Sequence, residues 1–315
     1  MTVKVRQYCR TFGLLTALLC LLSGCSGDDT TPSDAAAEIR FNADVWRVME
    51  GTRATTYPNG AVEGSFKVYA YNYNLPTLYI TNETVNYSSG SSSWENPQYW
   101  PEDNGALDFF AYMPATLPSY ISFDSAPYIA ETNPDGYSSG SPCIVCTNLP
   151  VSITAGSDAT QELVYAYTRN QTKAANGAGV VLTFKRPFAR IYFKLASGLS
   201  GVTINSVTIA GIMNNGSCTF DGTTTAWTPS GDAANLVVSG SPATGDTPYL
   251  VLPQTFDADL TFTVNATWSS WSNATKSVST SVAVGSWAAG TSYTYTFNLK
   301  EEALIVETTK YTEQW

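Results

Sequence analysis

Leu260–Trp268 reads LTFTVNATW, and every second residue in it is apolar. Leu260, Phe262, Val264, Ala266 and Trp268 fall on one face, and Thr261, Thr263, Asn265 and Thr267 on the other. Side chains of an extended chain point alternately to opposite faces, so this is a strand with one dry side and one wet side.

The same period of two recurs outward from this stretch. It is present in Arg190–Leu195, with Ile191, Phe193 and Leu195 inward, and in Val278–Val284, Tyr293–Lys300 and Leu107–Met113. Clusters such as NPDG (133–136), PSGDA (229–233) and SPATGD (241–246) separate the runs as turns. No long stretch beyond residue 38 carries a helical period, so the chain is predicted to be all-β. Many short strands without helix-length crossovers favour antiparallel β-sandwiches over a parallel α/β sheet. A sandwich of about seven strands uses about 100 residues, so a chain of 315 residues is expected to hold two in series. The polar, Gly- and Ala-rich segment Thr168–Gly179 is the expected join, dividing the chain into 38–172 and 173–315.

The N-terminus is a targeting segment. Lys4, Arg6 and Arg10 precede FGLLTALLCLL (12–22), an apolar run too short to span a bilayer as a mature helix. The signal peptide (1–24) ends in LSGC at 22–25, which resembles the lipobox of bacterial lipoproteins and makes Cys25 the expected lipidation site. More than one acyl chain is needed for stable anchoring, and a diacylated Cys25 would meet that need. The segment that follows, SGDDTTPSDAAAE (26–38), is polar and acidic and has nothing to pack, so 25–37 is expected to be a disordered tether. Asp28-Asp29 resembles an acidic export signal for surface lipoproteins.

Composition removes several function classes. The formal charge of −10 becomes about −13 once the three basic residues of the signal peptide are lost, which makes nucleic acid a poor partner. There is no histidine, so triads and zinc hydrolases that need imidazole are excluded. No other motif with a catalytic mechanism is present, and the chain is read as neither an enzyme nor a cofactor or metal protein. Cys143 and Cys146 (CIVC) have no second pair to complete four ligands, and residues three apart on a strand face opposite sides. Together with Cys218 they are read as buried or loop thiols. Trp94, Tyr99, Trp100, Phe109, Phe110 and Tyr112 crowd one region, either as core or as a platform for sugar faces.

Arg53 stands among small and turn-forming residues in MEGTRATTYPNG (49–60), between the strand-like stretches 39–49 and 65–73. By itself it could be an ordinary solvated loop arginine. The order of motifs gives it another meaning. A lipobox and acidic tether are followed by TRAT (52–55), FKVYAY (66–71), YWPEDNGALDFFAYMP (99–114), LVYA (163–166), VVLTFKRPFARIYFKL (180–195), YLVLPQ (249–254) and WAAGTSYTYTFNL (287–299). This succession resembles the fimbrillin-like proteins of Bacteroides and Porphyromonas relatives over essentially the whole chain from Cys25. It departs from them at Arg186-Pro187, where a histidine often follows the Phe-Lys of LTFK.

The resemblance implies two transthyretin-like β-sandwich domains in a pilin exported as a lipoprotein to the outer membrane. It implies trimming by an arginine-specific protease between Arg53 and Ala54, with 38–53 as the removable first strand. Ile39, Phe41, Ala43 and Val45 alternate as an inward face within that strand. Assembly with other fimbrial subunits would follow by strand exchange, with adhesion to a host or glycan ligand. The C-terminal ALIVETTKYTEQW (303–315) would be the donor, through Ile305, Val306, Tyr311 and Trp315, although Lys310 and Glu313 interrupt its alternation. Arg169 is the competing cleavage site, since Arg40 and Arg47 fall in a predicted strand, Arg186 precedes proline and Arg190 opens a strand. A monomeric surface lipoprotein that binds glycans is the alternative reading.

Overall fold

The computed structural model describes residues 37–43, 65–75, 77–88, 93–95, 98–125, 142–157, 161–220, 224–269, 274–300 and 303–312. Among them there is no α-helix, and the strands form antiparallel-rich sheets packed as β-sandwiches. The strands in the first half are β1 (Phe41–Ala43), β2 (Ser65–Asn72), β3 (Leu78–Ser88), β4 (Ser93–Glu95), β5 (Leu107–Met113), β6 (Ile121–Asp124), β7 (Cys143–Cys146), β8 (Ser152–Thr154), β9 (Val164–Gln171) and β10 (Val180–Leu182). There follow β11 (Ala189–Leu195), β12 (Val202–Ile212), β13 (Asn215–Phe220), β14 (Thr225–Ser230), β15 (Ala234–Ser239) and β16 (Tyr249–Val251). The last six are β17 (Gln254–Thr255), β18 (Leu260–Trp268), β19 (Ala274–Val282), β20 (Ser286–Trp287), β21 (Thr291–Lys300) and β22 (Ala303–Thr312).

LTFTVNATW is β18, and its five apolar residues are all buried, as the alternation predicts. It lies in the sheet β19-β18-β12-β15-β8, which packs on β16-β11-β21-β22. Val207, Ile209, Phe262 and Val264 from one sheet meet Ile191, Phe193, Tyr295 and Phe297 from the other. The outer face is held by side-chain bonds between strands, including Thr263 to Ser279 at 2.8 Å and Asn265 to Ser277 at 3.0 Å.

The other half is built on a seven-stranded sheet, β10-β1-β4-β3-β2-β5-β9. Its edges approach one another where Tyr165 and Lys185 exchange two backbone hydrogen bonds, so the sheet curls around a core of its own. Its outer face carries Tyr69, Phe110, Tyr112 and Tyr165 and packs on β14-β13-β7-β6 through Ile144, Cys218 and Phe220. Here the one-sided expectation for Leu107–Met113 fails, because β5 is buried along both faces. Its alternate residues serve different cores, Phe109 the inner and Phe110 the outer.

The expected join at Thr168–Gly179 also differs in extent. Residues 168–171 continue β9 and stay paired with β5 as far as Leu107↔Gln171, and only 172–179 form the turn. Strands before that turn pair with strands after it, β7 with β13 and β8 with β15. A specific protease site inserted after the exposed Lys173 is therefore expected to leave both pieces eluting together in native buffer and parting only in denaturant. Separation in native buffer would mean that these ladders do not hold the halves together.

Candidate functional site

The seat of β1 is the feature that the sequence reading makes functional. Ile39 and Phe41 are 1% and 3% exposed. Phe41 meets Phe66 and Phe109 edge-on, with ring centroids 5.7 and 5.5 Å away. Ala43 is half-buried, and Val45 lies outside the described residues. Edge-to-face pairs place the positive ring edge on the negative ring face, so this position favours an aromatic side chain.

The backbone of the segment is bonded on both sides. β1 runs parallel to β10, with Phe41 opposite Val180, and antiparallel to β4, with Phe41 opposite Trp94. Ile39 N donates to the Gln98 carbonyl at 2.8 Å, Trp100 N to the Ala37 carbonyl at 2.9 Å, and Val180 N to the Arg40 carbonyl at 2.7 Å. Gly179 has φ +108°, and a Cβ there would come within 3.2 Å of the Arg40 carbonyl, so glycine is what lets the turn pass so close to β1. Removing this segment would uncover the Phe66–Phe109 core and leave backbone groups of β10 and β4 without partners.

Arg53 and Ala54 lie outside the described residues, as does Cys25. The competing Arg169 is in β9, and its Nε lies 3.2 Å from the carboxylate of the fully buried Asp108. Asp108 also accepts from the Tyr73 hydroxyl at 2.6 Å and from Asn170 N at 2.7 Å. Burial, and after it the phenol's own hydrogen bond to the negatively charged Asp108, raises the Tyr73 phenol well above its ordinary value, against a smaller opposite pull from Arg169. This hub was missed in the sequence, where the one signal was an aspartate inside the apolar run LDFFAYM. Arg186 and Arg190 are buried too, both paired with Glu162, Arg186 at 2.6 Å.

The C-terminal strand β22 is an edge strand, paired with β21 from Lys300↔Ala303 to Thr291↔Thr312. Leu304 is buried and Val306 is half-buried against the core, while Ile305 is 46% exposed on the opposite face with Glu307 and Thr309. Tyr311 has a place in the strand register, but its side chain and the whole of Trp315 lie outside the described residues.

Cys143, Cys146 and Cys218 are buried and free. Burial pushes the Cys146 thiol up to about 12, and raises Cys143 and Cys218 as well. Such thiols are poor nucleophiles and metal ligands. Among the described residues no cluster of three or more His, Cys, Asp or Glu could hold a metal ion. Of the aromatic cluster, Trp100, Phe109, Phe110 and Tyr112 are core, and Tyr99 is exposed.

A fimbrial protein from Bacteroides vulgatus shares the fold, with TM-score 0.58 and 17% identity over 87% of this chain and 98% of that one. So does a candidate cell adhesion protein from Bacteroides uniformis, with TM-score 0.52 and 15% identity over 89% and 99%. No curated protein matches the chain. The model of the fimbrillin-like family matches residues 52–315. That match begins one residue before Arg53 and takes in every described strand from β2 to the edge strand β22, and the chain belongs to the fimbrillin-like family.

Proposed function

We propose that the chain is a structural subunit of a cell-surface fimbria, without catalytic activity, that supports adhesion. It is matured by an arginine-specific protease between Arg53 and Ala54 and assembled with other fimbrial subunits by strand exchange. The single observation that supports this most is that β1, with both faces of its backbone bonded and Phe41 in the core, belongs wholly to the segment before Arg53. One cut after Arg53 would turn an internal strand into a separable peptide. The incoming strand would replace it by β-augmentation, with backbone bonds supplying affinity and the Ile39 and Phe41 positions supplying selectivity.

In this reading the donor is the C-terminal strand, through Ile305, Val306, Tyr311 and Trp315. As an edge strand it has a single backbone ladder to leave, that with β21, together with the seat of Leu304 in the core. The two sandwiches are proposed to be transthyretin-like domains, divided near 172/173, with β6–β8 reaching across. Lipidation at Cys25 would hold the precursor on the outer membrane until cleavage. The rival glycan-binding monomer relied on an exposed platform that included Trp100, and Trp100 is 6% exposed with its ring edge-on to Phe109.

The anchor is tested by Cys25→Ala in a lipoprotein-competent bacterium. The variant is expected to accumulate as unprocessed precursor, with acyl labelling and surface display both lost. Unlabelled protein displayed normally at the surface would refute the anchor.

A further inference from the structure

A groove of about 960 Å³ lies between β14, the segment 253–261 and the segment 287–289, on the side of the molecule built by the later strands. Its aromatic walls are fixed without help from a ligand. Trp227 is half-buried, packs 5.2 Å from the Phe188 ring, and donates from Nε1 to the Pro187 carbonyl. Phe256 is half-buried and stands edge-on to Trp287, centroids 4.9 Å apart, while Trp287 Nε1 donates to the Tyr295 hydroxyl at 2.8 Å. Beneath them the buried Gln254 clamps the Met213 backbone, accepting from its N at 2.9 Å and donating to its carbonyl at 3.1 Å. Walls held in this way lose little freedom when something binds.

The rim has the opposite character. Thr255, Asp257 and Asp259 are exposed, and among the described residues neither carboxylate has an ion-pair or hydrogen-bond partner. Among the described residues no lysine or arginine lines the groove.

We propose that this groove binds a neutral oligosaccharide. Sugars present flat C–H faces that stack on rings such as those of Trp227 and Phe256, and hydroxyls that donate to carboxylates such as Asp257 and Asp259. Phosphorylated, sulfated or sialylated ligands would meet two negative charges with no compensating cation. An acyl chain would have to lie against two exposed carboxylates in an open groove. A lysine-rich peptide could use the carboxylates. Its cationic heads would engage the rim alone, whereas a sugar ring engages the fixed aromatic walls and the rim together.

The proposal does not depend on cleavage or strand exchange, and it is tested on the uncut full-length chain. Affinity electrophoresis would be run in gels containing xylan, mannan, β-glucan or galactan, and in gels carrying immobilised neutral mucin glycans. Sialylated mucin glycans and a lysine-rich peptide serve as comparators. At least one neutral glycan is expected to retard the protein, and the plant or microbial arms against the mucin arms identify its source. Dissociation constants are expected to rise at least about tenfold in Trp227→Ala and in the double variant Asp257→Asn/Asp259→Asn. The double variant alters only exposed groups and so reads the site without disturbing the core. Retardation by none of the neutral glycans, binding unchanged in both variants, or binding of the peptide alone would overturn the proposal.

Discussion

Treated with an arginine-specific protease, the precursor is expected to be cut after Arg53, to yield a chain beginning at Ala54, and then to assemble into polymers. Arg53→Ala is expected to remain monomeric under the same treatment. A protease must bind several residues in an extended, unpaired conformation, and the described arginines of the folded body do not offer one. Arg169 sits in β9 with its head on Asp108, and Arg186 and Arg190 are buried on Glu162. Arg40 belongs to the segment on which β10 closes, its carbonyl accepting from Val180 N.

The cut does not itself remove β1. It converts an attached strand into a peptide that can dissociate, and the effective concentration that kept it in place is lost on dilution. The vacancy would expose the positions of Ile39 and Phe41, two fully buried side chains worth about 1.5–3 kcal/mol each. The backbone bonds that β10 and β4 make to this segment would add to the affinity for an incoming strand. N-terminal sequencing and size analysis at high concentration check the outcome. A chain that begins at Ala54 and stays monomeric would refute self-assembly, and cutting at Arg169 with Arg53 protected would refute the removal of β1.

Phe110→Ala is expected to destabilise the protein by about 3–5 kcal/mol, the usual range for truncating a buried phenylalanine. Phe110 is fully buried and stacks on Phe123 at 4.4 Å and Phe220 at 4.8 Å. Phe220 lies on β13, which comes from beyond the turn at 172–179, so the cavity would open between sheets contributed by both halves. The rings around it are themselves held by neighbours and cannot collapse far into the space. Chemical denaturation of Phe110→Ala and of Ile305→Ala, an exposed site expected to change stability by less than about 0.5 kcal/mol, would measure the difference. A loss below about 1 kcal/mol for Phe110→Ala would mean that the two sheets do not meet as described.

The strands were legible wherever one face is wet. Leu260–Trp268 and Tyr293–Lys300 alternate in sequence because they alternate in burial, whereas Arg190 in Arg190–Leu195 is buried beside Ile191. β5 was misread for the converse reason. A strand clasped between two cores has no wet face, and Asp108 at full burial looks, in sequence, like an ordinary surface residue. Residues 168–171 look like a polar linker because the partner that holds them is that distant aspartate. The pairing of β8 with β15 joins residues far apart in the chain and leaves no local trace. For the candidate site, the inward pattern of Ile39 and Phe41 was visible, but the parallel neighbour β10 was not. Parallel partners share no hairpin turn, so nothing in the sequence marks them as adjacent.

The ladders that cross the turn at 172–179 bear on how a filament subunit would carry tension. β7 meets β13 and β8 meets β15 along their lengths, so a pull between the two halves is shared over two rows of backbone bonds as well as the peptide chain. A subunit held in this way resists stretch as a riveted joint does, and a nick in the turn would leave the joint closed.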